Sequence, residues 1–207
     1  MLLGQITEQF YIEPSGYVNT FAVRFYPYGF ANFIDIPLNE LGNKETPLRK
    51  LFGDKVSEQL SQEVIQAKTT NERIIVIEGF LFNSLCDKKT IDNIVKYTID
   101  TMYLSKGSKS LNAILKDDLT KRRQLERNFL KQIGLSPKQL SKVIRLQATL
   151  QMLLNHTTES LTEIAYENEY YDQAHFVKDF KEFTGIRPKD FLKDEKMALS
   201  SLLYKKS

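Results

Sequence analysis

The sequence has no tryptophan, one cysteine and two histidines. A lone thiol, Cys86, gives no disulfide framework and no Cys-based zinc cluster. His156 and His175 have no companion carboxylates at ligand spacing, so neither a metal nor a catalytic histidine set is expected. Gly-rich phosphate loops and Cys or Ser nucleophile motifs are also missing, which removes the usual signatures of an enzyme and of its cofactors. No apolar run approaches the roughly 20 residues that span a bilayer, so no membrane partner is expected. The opening Met1-Leu2-Leu3-Gly4-Gln5 lacks the basic flank and long apolar core of a signal peptide. A cytoplasmic protein without catalytic activity is the expectation.

What is present is an ordinary globular composition: 207 residues, 42% hydrophobic and 27% charged, enough for one large domain or two small ones. The net charge of +3 hides an uneven distribution. Residues 1–85 carry 7 Lys/Arg against 10 Asp/Glu, whereas residues 106–145 carry 11 against 3 and residues 146–207 carry 8 against 10. A basic block between acidic flanks is what a phosphate-facing surface needs. On charge alone, a solvated helical surface is an equal reading.

The first part, 1–85, is expected to be an α+β domain with a sensor or dimerisation role. Turn signals stand at Pro14-Ser15-Gly16, Pro27 and Gly29, and Phe21, Val23 and Phe25 alternate with Ala22 and Arg24 as in a half-buried strand. Leu51, Val56, Leu60 and Val64 follow at helical spacing. Between Arg73 and Leu85, Ile74-Ile75-Val76-Ile77 has strand propensity, but Ile74, Ile77, Leu81 and Leu85 share a helical face, and the helix is preferred. Phe10, Tyr11, Phe21, Phe25, Phe30 and Phe33 are more aromatic surface than one short sheet usually buries. That surplus suggests that Met1 is an internal position of a longer domain, or that another chain covers this face.

Residues 86–105 form a connection, in which Ile91, Ile94, Val95, Thr98, Ile99 and Met102 make the stripe of an amphipathic helix ended by Ser105-Lys106-Gly107. Residues 106–193 read as an all-α domain, with a tail at 194–207. Leu111, Ile114 and Leu115 mark a helix of about three turns. Thr120 is the expected cap of the next, with Leu125, Phe129 and Ile133 inward. Ser136-Pro137-Lys138-Gln139 combines a Ser cap, Pro at the first helical position and Gln three residues after the cap. The helix it opens carries Leu140, Val143, Ile144, Leu146, Leu150, Leu153 and Leu154 on one face. Ser160-Leu161-Thr162-Glu163 is a second capping box, with Leu161, Ile164 and Ala165 inside. Asp172 caps a last helix bearing Phe176, Phe180 and Phe183, stopped by Gly185 and Pro188.

These helices contain a duplication. Thr120–Pro137 reads TKRRQLERNFLKQIGLSP and Asp172–Pro188 reads DQAHFVKDFKEFTGIRP. Each has a polar cap, an apolar residue near the fifth position (Leu125, Phe176), a Phe four residues later (Phe129, Phe180) and then Gly-x-x-Pro. Each follows a shorter helix and a tight turn. Short helix, turn, longer helix with a polar N-terminal face is the organisation of a helix-turn-helix, whose second helix fits the DNA major groove.

At these residues the sequence resembles the AraC/XylS-type bacterial regulators, over about residues 105–193. The most specific stretch is LTEIAYENEYYDQAHFVKDFKEFTGIRPKDF, Leu161–Phe191; Leu125-Glu126-Arg127-Asn128-Phe129 and Gly134-Leu135-Ser136-Pro137 resemble the family's first unit. The resemblance implies two helix-turn-helix units joined by a central helix, here about Pro137 to Asn155, reading adjacent major-groove segments of double-stranded DNA. It also implies RNA polymerase, a homodimer and a small-molecule effector as further partners. Residues 1–85 resemble, more weakly, a sensor-like domain of unknown function that precedes this module, through Val23–Phe30, Pro47–Gly53 and Glu72-Arg73-Ile74.

The expected DNA-binding residues are Thr120, Lys121, Arg122, Arg123, Gln124 and Arg127 in the first unit. In the second they are Asp172, Gln173, Ala174, His175 and Lys178. Cations at a helix N-terminus oppose the helix dipole, so the placement of Lys121-Arg122-Arg123 hints at an anionic partner; a solvated basic turn is the alternative. Arg127 can reach a phosphate or pair with Glu126 or Asp118, and Arg145 can equally be a structural ion-pair partner. Gln173 has the donor and acceptor for a bidentate adenine contact and Ala174 can meet a thymine methyl, while Asp172 is more cap than reader. His175 reads as a packed residue with one polar edge near DNA. Where the family usually has glycine in the turns, Asp118 and Glu169 stand here; Asp tolerates positive φ, Glu poorly. The first unit is therefore expected to dominate affinity. A protein-interaction module that keeps this fold without binding DNA is the competing reading.

Overall fold

The computed structural model describes residues 1–7, 19–85, 91–116, 118–155, 161–191 and 193. Its described residues fall into two compact units. The first holds Met1–Ile6, the described part of 16–96 and Arg127–Leu135; the second holds Thr7, Tyr97–Glu126 and the described part of 136–207.

In the first unit, β-structure shrinks to one antiparallel ladder between β1 (Leu2–Leu3) and β2 (Glu45–Thr46), with Leu2 opposite Thr46 and Leu3 opposite Glu45. The expected strand through Phe21, Val23 and Phe25 does not form: residues 19–26 have no ladder partner, and Val23 is exposed. Alternation places side chains on two faces, but a strand exists only where a neighbour satisfies its backbone groups. Phe25 turns instead onto Phe30 and Phe33, with ring centroids 5.2 and 5.8 Å away. This aromatic group joins Ile34, Leu38 and Leu41 in a small core, to which Leu2, Leu51, Phe52 and Ile91 add. Phe10 and Tyr11 lie outside the described residues.

Helices α1 (Arg49–Phe52), α2 (Asp54–Gln66) and α3 (Thr70–Asn83) follow. The preferred helical reading of 73–85 is thus correct up to Asn83. Thr69 caps α3 by accepting from the Glu72 backbone N–H at 3.2 Å, a cap that fixes the helical alternative for the β-branched run. Its predicted stripe is not a core face, however. Ile74 and Leu85 are exposed and no residue of α3 is fully buried. Four consecutive aliphatic residues surround the helix with apolar groups, so periodicity alone cannot say which side packs.

Helix α4 (Asn93–Leu104) buries Val95, Thr98, Ile99 and Met102 of the expected stripe, while Ile94 is half-buried and Ile91 lies before the helix. It ends where the Gly107 N–H donates to the Met102 carbonyl at 2.7 Å, with Lys106 and Gly107 both in the left-handed region. The second unit continues with α5 (Leu111–Leu115), which is five residues long and shorter than the three turns its sequence suggests. Then come α6 (Leu119–Ile133), α7 (Pro137–Asn155), α8 (Leu161–Glu167), α9 (Gln173–Thr184) and α10 (Pro188–Phe191).

The bounds of α7 coincide with those read from the sequence, and the capping box explains why. Ser136 Oγ accepts from the Gln139 N–H at 3.2 Å while Gln139 Oε1 accepts from the Ser136 N–H at 2.9 Å. The Ser160 box falls partly outside the described residues. Leu146, Leu150 and Leu153 of α7 pack with Ile164, Ala165, Tyr170, Phe176, Phe180 and Phe191 in one core, and burial of this apolar surface holds α7, α8, α9 and α10 together. Leu125, Phe129 and Ile133 of α6 are fully buried, as their spacing predicts.

Candidate nucleic-acid interface

Two motifs of a short helix, a turn and a longer helix follow one another: α5 and α6 form the first, α8 and α9 the second. Their construction is parallel. Each short helix breaks at a left-handed residue, Lys116 with φ 52° in the first and Glu169 with φ 54° in the second. Each longer helix is capped by an aspartate. Asp118 Oδ1 accepts from the backbone N–H groups of Thr120 and Lys121, both at 3.1 Å, and Asp172 Oδ1 accepts from that of His175 at 2.7 Å. Each ends at a glycine with positive φ, Gly134 at 87° and Gly185 at 75°. At Gly134 there is a second reason: a Cβ there would lie 2.9 Å from the Leu38 carbonyl oxygen.

Two expectations change here. Thr120 is not the cap of α6; Asp118 is, and Thr120 is already helical. The residue of the first turn that takes positive φ is Lys116, not Asp118. A carboxylate one residue before a helix serves two free N–H groups at once, which outweighs a hydroxyl two positions later. The cap also acts on its own charge. The Lys121 backbone N–H, and then the Lys121 ammonium 3.0 Å away, hold the Asp118 carboxyl below the usual carboxylate range. Glu169, by contrast, has the left-handed backbone expected of it.

On α6, Thr120, Lys121, Arg122, Arg123, Gln124 and Arg127 are all exposed. Arg122 donates to Glu126 Oε1 and, across the turn, to Asn112 Oδ1 of α5, both at 3.1 Å. Arg123, Gln124 and Arg127 have no side-chain bond among the described residues, so neither Glu126 nor Asp118 takes Arg127 as a partner. Exposed ion pairs such as Arg122–Glu126 contribute well under about 1 kcal/mol and exchange readily for a phosphate. The surface is therefore available for an anion.

On α9, Asp172, Gln173, Ala174, His175 and Lys178 are exposed around its first turns. Gln173 Oε1 accepts from Thr162 Oγ1 of α8 at 3.1 Å, which orients the amide. His175 packs edge-on against the Tyr170 ring at 5.5 Å and sets Nε2 3.6 Å from Asp179 Oδ2. Lys178 has no partner among the described residues. Phe176 and Phe180 are fully buried and so are not stacking platforms for bases.

Several residues that shape these motifs gave no signal in the sequence. Asn128 and Gln132 of α6 bind Asp92 just before α4: Asn128 Nδ2 donates to its carboxylate at 2.7 Å and Gln132 Oε1 accepts its backbone N–H at 3.0 Å. Lys142 of α7 reaches Asp179 and Glu182 of α9, each at 3.2 Å. Burial opposes the Lys142 charge, but the Glu182 and Asp179 carboxylates prevail and raise its pKa. Tyr170 is buried, which pushes its phenol up to about 12 despite a hydrogen bond with Thr149. Arg145, read as an ion-pair candidate, has no carboxylate partner among the described residues; it donates to a backbone carbonyl and lies over an aromatic ring. Among the described residues no three His, Cys, Asp or Glu gather as a metal site, and no helix is long and apolar enough to cross a membrane.

Comparison with known proteins agrees with this geometry. Residues 120–194 match the family described as Helix-turn-helix domain, a span that runs from α6 through α10. Residues 1–47 match a Domain of unknown function (DUF6597), in accord with the resemblance of the first part to such a domain. The HTH-type transcriptional regulator MtrA of Neisseria gonorrhoeae is 37% identical over 73 residues, which are 35% of this chain and 24% of that protein. The chain thus aligns with about a quarter of the length of this curated relative. No solved structure matches the chain significantly. The aspartate-capped, glycine-stopped α6 and α9 both fall on this span, and residues 120–194 are similar to a helix-turn-helix domain of transcriptional regulators.

Proposed function

We propose that this protein is a sequence-specific, non-catalytic DNA-binding transcription regulator that places α6 and α9 in adjacent major-groove segments of one duplex. The observation that carries this reading is the duplicated motif. In both copies the buried side of the longer helix is mainly apolar, with Asp179 of α9 as a buried charge paired to Lys142, and its capped N-terminal end presents polar side chains that have no part in the core. In the first copy, Lys121, Arg122, Arg123 and Arg127 meet phosphates and Gln124 faces base edges. Thr120 belongs to the same first-copy surface; in the second copy, Gln173 and Ala174 read bases, Lys178 meets a phosphate, His175 offers a polar edge, and Asp172 positions the helix end. The basic charge concentrates on the first motif, which supplies most of the affinity.

Residues 1–85 serve as the sensing or dimerising part, 86–105 as the connection, 106–193 as the DNA-binding domain and 194–207 as its tail. RNA polymerase, a second copy of the chain and a small-molecule effector are the further partners of such a regulator, acting in the cytoplasm. Selecting bound sites from a random duplex pool, followed by mobility shifts at several salt concentrations, tests the proposal. A shared sequence motif with salt-dependent affinity is the expected result. Binding to no duplex, with the chain folded, would leave the reading of a helix-turn-helix fold used for protein interaction.

A further inference from the structure

Helix α7 joins the two motifs, and one of its side chains touches the structure that flanks both of them. Arg145 Nη2 donates to the Gly107 carbonyl oxygen at 2.7 Å, and Ser141 Oγ, one turn earlier on α7, donates to the same oxygen at 2.7 Å. Gly107 lies three residues before Ser110, whose side chain caps α5 by accepting from the Ala113 N–H. Its backbone lies flat on α7. With φ at 74°, a Cβ on Gly107 would come 2.4 Å from the Ser141 carbonyl oxygen and 3.1 Å from the Arg145 nitrogen. The segment that leads into the first motif is thus seated on α7 by two donors and by the absence of a side chain.

The same guanidinium faces the second motif. Arg145 Cζ stands 5.2 Å from the centroid of the Tyr170 ring. Tyr170 is 4% exposed and follows Glu169, the left-handed residue of the second turn, two positions before the Asp172 cap of α9. Its ring also meets His175 and Phe176 of α9, at 5.5 and 5.3 Å. A guanidinium has a fork of donors in its plane and a face that stacks on an aromatic ring, so one group can hold both neighbours; an ammonium has no such face.

We infer that Arg145 is a positioning residue that fixes the orientation of the first motif relative to the second, and so sets which spacing of two DNA elements the chain accepts. The spacing part rests on the DNA-binding reading; the orientation part does not. Two recognition helices on one chain engage a duplex together only when their separation and rotation match its helical repeat of about 34 Å. The length of α7, 19 residues, sets the separation. Rotation depends on how the short elements at its two sides are seated, and Arg145 seats both.

The test uses the full chain and two variants. Arg145→Met removes donors and charge. Arg145→Lys keeps the charge and stem but loses the fork and the flat face. Spin labels at Ala113→Cys on α5 and Lys181→Cys on α9, in a Cys86→Ser background, report the distance between the motifs. The expected result is a narrow distance distribution in the unsubstituted chain and a broader one in Arg145→Lys, with helix content unchanged and unfolding still cooperative; Arg145→Met should broaden it further. A distribution as narrow in Arg145→Lys as in the parent would overturn the inference, whether or not Arg145→Met folds.

The second readout uses duplexes carrying the two selected elements with zero, one or two added base pairs. The parent should prefer its best spacing by about tenfold or more, since a geometry that forbids joint engagement forfeits binding by the second motif; Arg145→Lys should lose most of that preference. An unchanged preference overturns the spacing claim. If the parent binds no duplex at all, the DNA-binding reading fails, while the label distances still decide the role of Arg145.

Discussion

The Lys142 ammonium lies 3.2 Å from the Asp179 carboxylate, which is 7% exposed, and so ties α7 to α9. Removing Lys142 leaves that carboxylate nearly buried, with His175 Nε2 at 3.6 Å as its nearest remaining partner of opposite polarity. Lys142→Met is therefore expected to destabilise the second unit by about 1–3 kcal/mol, measured by urea unfolding near neutral pH. The pH dependence has a definite sign. The Lys142 pKa is raised in the fold, so its stabilisation is fully present below the unfolded lysine value of about 10.4 and is lost as pH climbs through the folded value. The difference between parent and variant should shrink at strongly alkaline pH; a constant difference would show that the side chain acts through packing alone.

Salt dependence counts the phosphates that the protein neutralises. Replacing Lys121, Arg122 and Arg123 together by Ala should weaken DNA binding and reduce the log–log salt slope by about 0.9 for each phosphate no longer neutralised. All three side chains are exposed, so the fold should survive the change, and circular dichroism checks that it does. A folded triple variant with the parent's slope would place the basic turn away from the duplex.

Gln173 separates reading from holding. Gln173→Ala should relax preference at one or two base pairs, at a cost of about 1–3 kcal/mol for the preferred base, and leave binding to unrelated DNA nearly unchanged. Because Thr162 Oγ1 orients the Gln173 amide, Thr162→Val should blunt the same preference more weakly. Equal losses on every sequence would make Gln173 a residue that positions the helix.

The second turn stores backbone strain at Glu169, where φ is 54°. A left-handed conformation costs a side-chain-bearing residue roughly 1–2 kcal/mol, and glycine offsets part of that relief through the entropy of its unfolded chain. Glu169→Gly is accordingly expected to be neutral or to stabilise by up to about 1 kcal/mol in thermal or urea unfolding. A clear destabilisation would mean that the glutamate side chain holds the turn through contacts of its own.

Local chemistry decided the helical part of this protein. The Ser136–Gln139 box fixed where α7 begins, Gly134 and Gly185 fixed where α6 and α9 stop, and Leu125, Phe129, Phe176 and Phe180 marked the buried sides. Caps, stops and stripes act within four or five residues, so the linear order contains them. The exposed polar residues of α6 and α9 were legible for the same reason, because a helix that buries one stripe must show the other. The tertiary structure decided what depends on residues far apart in the chain. It left Phe21–Phe25 without a strand partner, turned Phe25 onto Phe30 and Phe33, brought Lys142 to Asp179, and gave Arg145 a carbonyl and a ring in place of a carboxylate. Ladder pairing, ring packing and the seating of a guanidinium are set by which surfaces meet on folding, and no periodicity along the sequence encodes that meeting.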